Sequence, residues 1–184
     1  MRRPTTILIA PLVAACLLNL SCRIHTPAVE PRPSSWAPPI ENKALPNLHR
    51  VSPDLYRCAR PAEGGYEAAR DMGIRTIVNL RPNPASKTPA GSIPNYVNIP
   101  VKTSAPTYEQ AREFFEIVDR PENQPVLLHC YHGADRTGAF TALYRINRQG
   151  WSKDEAIREM TGGGYDFHTM WKSLIEWVRE APEF

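Results

Sequence analysis

The densest run of reactive side chains in the sequence is His129-Cys130-Tyr131-His132-Gly133-Ala134-Asp135-Arg136-Thr137-Gly138. An apolar stretch, Val126–His129, runs into it, and a helical pattern follows at once, which predicts a strand–loop–helix unit. In such a unit several backbone N–H groups converge at a helix N-terminus and form a cradle for an anion. Arg136 lies six residues after Cys130 and places a planar five-donor fork across that cradle. A helix N-terminus and a guanidinium both favour the thiolate of Cys130 over its thiol. A thiolate beneath a bound tetrahedral dianion suits phosphoryl transfer through a covalent cysteine intermediate. The competing reading is that Cys130 is a buried structural cysteine.

The elements that must hold this loop follow from periodicity. Leu48–Val51 and Leu55–Cys58 read as short strands joined at Ser52-Pro53-Asp54. Tyr66–Met72 reads as a helix stopped by Gly73, and Ile74–Leu80 as a buried strand rich in β-branched residues. A Pro-rich loop spans 82–94 before a strand over Tyr96–Pro100. Thr107 with Gln110 makes a capping box, and Ala111, Phe114, Phe115 and Val118 form the apolar stripe of the helix it opens. After the loop, Gly138–Gln149 reads as a helix closed by Gly150. A second helix opens at Ser152 and Glu155 and ends at Gly162–Gly164. The last is expected from about Phe167 to Arg179, with Trp171, Leu174, Ile175 and Val178 on one face. Strands alternating with helices predict an α/β domain with a mainly parallel sheet flanked by helices.

The formal charge of +3 does not belong to that domain. Residues 1–46 hold Arg2, Arg3, Arg23, Arg32 and Lys43 against Glu30 and Glu41, and the remainder is balanced. No basic face is implied, so a nucleic-acid partner is not expected. Arg2 and Arg3 precede the apolar run Ile7–Leu20, which is short for a membrane span and suits an export signal over residues 1–22. Cys22 sits well after that run and Cys16 fits a small-residue box better locally. Either would be the site of an N-terminal lipid, with plain secretion as the third reading. The chain is accordingly expected outside the cytoplasm, membrane-anchored where that lipid is added. Residues 23–46 are Pro-rich and poor in large apolar residues, and read as an extended linker. The folded domain is expected over 47–184.

The segment HCYHGADRTG resembles the signature of the cysteine-dependent protein tyrosine and dual-specificity phosphatases: His-Cys, five residues, Arg, Ser/Thr, Gly. LYRCARP and GIRTIVNLRP upstream are similar to the small bacterial, atypical dual-specificity members, so the resemblance covers roughly residues 48–180. It implies the cysteine-phosphatase fold and a phosphorylated substrate. Cys130 would be the nucleophile and Arg136 the clamp on the non-bridging oxygens. His129 would orient the loop, and Thr137 would ease thiolate departure. Tyr131, His132, Gly133, Ala134 and Gly138 complete the phosphate-binding loop. The chemistry implied needs no cofactor or metal, and the five histidines lack paired ligand spacing.

The sequence departs from the pattern in one respect. Many members draw a general-acid aspartate from a separate earlier loop, but Pro100–Thr107 contains no Asp or Glu. Asp135, beside Arg136, is the substitute, as in myotubularin-like and some lipid-active bacterial relatives; alternatively it only bonds loop amides or a neighbouring side chain. His132 either reaches the pocket mouth or packs at the surface. Arg57, Cys58 and Arg60 are expected near the rim. Cys58 is either a redox partner of Cys130 or, the preferred reading, a small buried hydrophobe. Tyr165, Asp166 and His168 either border the substrate or, again preferred, pack locally with Asp166 capping the last helix. The leading function is hydrolysis of phosphotyrosine or similar monoesters. Its rivals are an inositol-phosphate or phosphoinositide phosphatase and a non-catalytic phosphate-binding module.

Overall fold

The computed structural model describes residues 24–83 and 95–184. The expected export signal, with Cys16 and Cys22, lies outside the described residues, as does most of the Pro-rich loop after position 83. Five strands form one sheet in the order β1-β2-β5-β3-β4: β1 His49–Arg50, β2 Leu55–Cys58, β3 Thr76–Asn79, β4 Asn95–Asn98 and β5 Val126–His129. Only β1–β2 is antiparallel; β2, β5, β3 and β4 run parallel. The sheet is therefore the mainly parallel one expected of the cysteine-phosphatase fold.

β5 is central because Val-Leu-Leu-His can be buried on both faces, and all four residues are. Val126 and Leu128 join Leu55 and Val78 in one core cluster, whereas Leu127 joins Ile77 and Cys58 in another, as a two-residue period requires. The first cluster packs beneath α2 (Tyr108–Val118), α3 (Asp135–Gln149), α4 (Lys153–Gly162) and α5 (Lys172–Arg179). The second packs beneath α1 (Gly65–Asp71) and the segment that carries Leu45 and Leu48. Thr107 and Gln110 cap α2 reciprocally. The register sets Cys58 and Asn79 on either side of His129, so the chain leaves β5 between the C-terminal ends of β2 and β3. In open α/β sheets that is where ligands bind.

Three expectations are corrected. Residues 24–46 are not a free linker: Trp36 is 2% exposed and Leu45 is fully buried. Ala37 N–H donates to Glu159 at 2.7 Å, and Arg32 donates to the carbonyls of Gly163 and Ala37 and to the Tyr165 hydroxyl. A few anchoring side chains with matching polar partners suffice to capture a segment that lacks any apolar periodicity. The folded unit thus begins well before position 47. Second, α3 starts at Asp135 rather than Gly138, which puts Asp135 and Arg136 in its first turn. Third, α5 starts at Lys172, and Asp166 does not cap it. Asp166 stands at φ 65, and residues 167–169 are engaged by the N-terminal segment, through Thr26 N–H to the Phe167 carbonyl and Thr169 N–H to the Ile24 carbonyl. A backbone paired that way is extended, not helical.

Candidate active site

The loop after β5 is shaped by where its carbonyls are held. The His129 carbonyl accepts from Leu80 N–H at 2.8 Å, and the Cys130 carbonyl from the His129 ring at 3.0 Å. The Tyr131 carbonyl accepts from Arg60 N–H at 3.0 Å, the His132 carbonyl from the Asn47 amide at 3.0 Å and the Gly133 carbonyl from Arg57 Nη2 at 2.6 Å. Every carbonyl from 129 to 133 thus has a donor, and four of the five donors come from outside the loop. Successive N–H groups of a curled loop are left to face its interior, which is the geometry of an anion-binding nest. Ala134 adds no side-chain cap to α3, so the helix N-terminus also faces that space with its own amides.

Gly133 is required by two separate constraints. Its φ is +71, and a Cβ there would lie 2.6 Å from Ala59 N and from the Cys58 carbonyl. The loop therefore closes directly onto the end of β2. Arg57, fully buried, reaches the loop from β2 and stacks 3.6 Å from the centroid of Tyr165; its Nε and Nη1 have no hydrogen-bond partner among the described residues. Burial pulls this guanidinium below the ordinary arginine value, while Tyr165, Glu159 and Cys130 oppose the shift.

Cys130 is 1% exposed at the head of the loop. Thr137 is fully buried and its hydroxyl has no partner among the described residues. Arg136 directs Nη1 toward the carbonyls of Leu80 and Val101, at 3.3 and 3.4 Å, which anchors one arm of the fork. The His129 ring, buried, is pulled down to about 4, by burial first and then by Arg81, Arg136 and Arg60 against its bond to the Cys130 carbonyl. That bond assigns the proton of the neutral ring to Nδ1.

A cleft of about 530 Å³ opens over the loop, lined by Tyr131, His132, Asp135 and Arg136 together with Arg81, Thr103, His168 and Trp171. Tyr131 is half-exposed between Arg60 and Arg81, at 5.5 and 5.8 Å from its ring centroid. Asn79 and Asn98 hold the Arg81 backbone, which aims that residue from the end of β3. Asp135 is almost wholly buried, and both its oxygens engage His168: Oδ1 accepts the His168 N–H at 2.9 Å, and the ring Nδ1 lies 2.9 Å from Oδ2. Burial also lowers His132, with the charge of His168 adding to it.

The expected site residues separate into two groups. Cys130, Asp135, Arg136, His132 and the rest of the loop come together, with Arg57 and Arg60 beside them. Cys58 does not join them: it is fully buried in the α1-side cluster, and burial, then the charge at Cys130, push its thiol up. That environment favours the packing reading, and both thiols are free. His168, expected to pack locally, instead lines the cleft and pairs with Asp135. Nothing in the sequence announces that pair, 33 positions apart. Asn47 carries no motif signal either, and Arg81 lies in GIRTIVNLRP without a role that the resemblance assigns. Spacing along the chain shows no paired metal ligands, whereas folding gathers the ligand atoms of His132, Asp135 and His168 within 4.8 Å of one another.

Residues 41–173 match the family model described as a DSP-PTPase phosphatase fused to NAD+ kinase. The chain belongs to this family of cysteine-dependent phosphatases. It is 30% identical over 177 residues to the dual specificity protein phosphatase TpbA of Pseudomonas aeruginosa, covering 95% of this chain and 79% of that one. The crystal structure of a cysteine-to-serine TpbA in complex with phosphotyrosine superposes with a TM-score of 0.71 at 28% identity, over 82% of this chain and 92% of that one. A rice inositol diphosphatase, DSP2, is 28% identical over 115 residues, 54% of this chain and 53% of that protein. This phosphatase is thus a hydrolase of the cysteine-dependent, dual-specificity type.

Proposed function

We propose that this phosphatase hydrolyses phosphotyrosine or similar phosphate monoesters through a phosphocysteine on Cys130. The run of outward-held carbonyls from His129 to Gly133 carries the reading, because it leaves the loop amides for three equatorial phosphate oxygens. The Cys130 thiolate attacks phosphorus in line, and the bond to the leaving oxygen breaks as the P–S bond forms. Arg136 and the amides take up the charge that shifts onto the non-bridging oxygens. Asp135 donates its proton to the leaving oxygen, then accepts one from the water that displaces Cys130. The Thr137 hydroxyl donates to the departing thiolate, and inorganic phosphate is released. His168 holds the Asp135 carboxyl in place through its backbone N–H and its ring Nδ1. Similarity to a protein solved with phosphotyrosine supports the substrate class.

A second reading, an inositol-phosphate or phosphoinositide phosphatase, is favoured by Arg60 and Arg81 on either side of Tyr131, which supply cations beyond those one phosphate needs. Export, with lipid on Cys22 or Cys16, belongs to the same proposal and rests on the N-terminal sequence alone. Wild type should hydrolyse p-nitrophenyl phosphate and Cys130→Ser should not; equal rates reject the enzyme reading in favour of a binding module. Phosphate release from phosphotyrosine peptides against inositol phosphates separates the two substrate classes. With a poor leaving group, Asp135→Asn should lose the basic limb of the pH–rate profile, and an unchanged limb removes Asp135 as the acid.

A further inference from the structure

The mouth of the cleft carries a donor set that phosphate hydrolysis does not require. His132, Asp135 and His168 each offer one ligand atom, and these atoms all lie within 4.8 Å of one another. Two imidazoles and one carboxylate are a donor set for borderline-soft divalent cations; magnesium and calcium prefer oxygen alone. We propose that this set binds one divalent cation of the Zn²⁺ type, and that the bound cation inhibits the phosphatase by engaging Asp135. The inhibitory half rests on Asp135 serving as the general acid; the binding half does not.

The site is largely formed. Asp135 and His168 already sit within 2.9–3.1 Å of each other, close to the spacing of neighbouring ligands about one cation. Asp135 is nearly buried on the first turn of α3 and is oriented by the His168 N–H, so its position costs no further ordering. His168 is held in turn by the N-terminal segment, through the pairing of residues 24–26 with 167–169. His132 is exposed, its ring centroid 5.1 Å from that of His168. Tetrahedral bonds of about 2.0–2.1 Å set ligand atoms roughly 3.3 Å apart, so this exposed side chain closes the set by moving about 1.5 Å. Three protein ligands leave a fourth position, and all three residues line the phosphate cleft, so water or a phosphate oxygen can fill it. A carboxylate bound to the cation carries no proton, and the leaving oxygen then departs without an acid.

Calorimetry with zinc chloride in a non-chelating buffer tests binding on the full chain carrying Cys16→Ser, Cys22→Ser and Cys130→Ser, which removes competing thiolates. One equivalent should bind, cobalt(II) should give the visible absorption of a tetrahedral site, and His132→Ala and His168→Ala should each weaken binding about tenfold or more. Thermal unfolding of each variant confirms that it is folded. No saturable binding, or binding that survives the double histidine variant, overturns the site. In the active protein, zinc should inhibit His132→Ala at least tenfold less potently than wild type, each referred to its own uninhibited rate. Equal potency overturns the inhibitory half and assigns inhibition to thiolate capture. If wild type hydrolyses nothing, the function proposed above fails while the calorimetric result still decides the site.

Discussion

Among the described residues two arginines are buried, and the protein treats their charges in opposite ways. Arg145 on α3 is 3% exposed and meets Glu159 on α4 through two bonds of 2.7 and 2.8 Å, with Val51 and Gln149 accepting from its remaining Nη. Arg57 on β2 is fully buried, yet among the described residues it has one carbonyl, one aromatic face and no carboxylate bonded to it. A buried guanidinium without a counterion is expensive unless an anion arrives from elsewhere. Among the described residues its acceptor is the Gly133 carbonyl, in the loop that would receive an anionic substrate. Arg145 therefore fastens two helices, whereas Arg57 pins the loop and adds its field to the site.

The comparison breaks most visibly at Glu159. Burial pushes its carboxyl up, but the bond and charge of Arg145, with the Ala37 N–H, outweigh that and hold it below the usual range. Glu159→Leu leaves Arg145 unpaired and should cost about 3–5 kcal/mol in urea unfolding. The double variant with Arg145→Met should cost less than either single change, and simple additivity would contradict the ion-pair account.

The next effect is on pH. His49 and His129 are both drawn from 6.5 down to about 4, by burial first; for His49 the charge of Arg57 comes next. Each ring stays neutral in the folded chain where the unfolded chain protonates it, so unfolding takes up protons between those values. Stability is complete above pH 6.5 and falls as the pH drops toward about 4, by up to about 3 kcal/mol for each ring. Urea midpoints measured from pH 7 to pH 4.5 should decline, and His49→Asn should flatten the slope. A flat profile for the unsubstituted protein rejects the burial argument.

The smallest effect separates the two arginines by function. Arg57→Met removes a charged bond of about 1.5–3 kcal/mol together with an unneutralised buried charge, so stability should change by about 1 kcal/mol. kcat/KM should fall on the order of tenfold, equivalent to about 1.4 kcal/mol. A large stability loss with kcat/KM intact would make Arg57 an ordinary structural residue.

Local signals made much of this legible in the sequence. The strand Val126–His129, the capping box of Thr107 and Gln110, and the Cys130–Arg136 spacing all depend on neighbours within a few positions. The start of α3 lies three residues ahead of its apolar stripe, because its first turn carries the loop's chemistry. What stayed hidden depends on partners far along the chain. Trp36 is buried because residues 159–165 supply the acceptors that hold its segment. His168 reaches Asp135 because Ile24 and Thr26 hold the intervening strand-like segment in place. Neither can be read from composition, and a Pro-rich stretch in isolation gives no hint that it is captured.

We propose that the outward-held loop carbonyls and the charge of Arg57 serve a Cys130 that is phosphorylated during turnover. Rapid acid quench of the enzyme during turnover of a phosphotyrosine peptide, followed by mass spectrometry, tests it directly. The account predicts one phosphoryl group on the peptide containing Cys130, none in Cys130→Ser, and greater accumulation when Thr137→Val slows release of the thiolate. Turnover of the peptide by wild type with Cys130 never phosphorylated in either protein would contradict it.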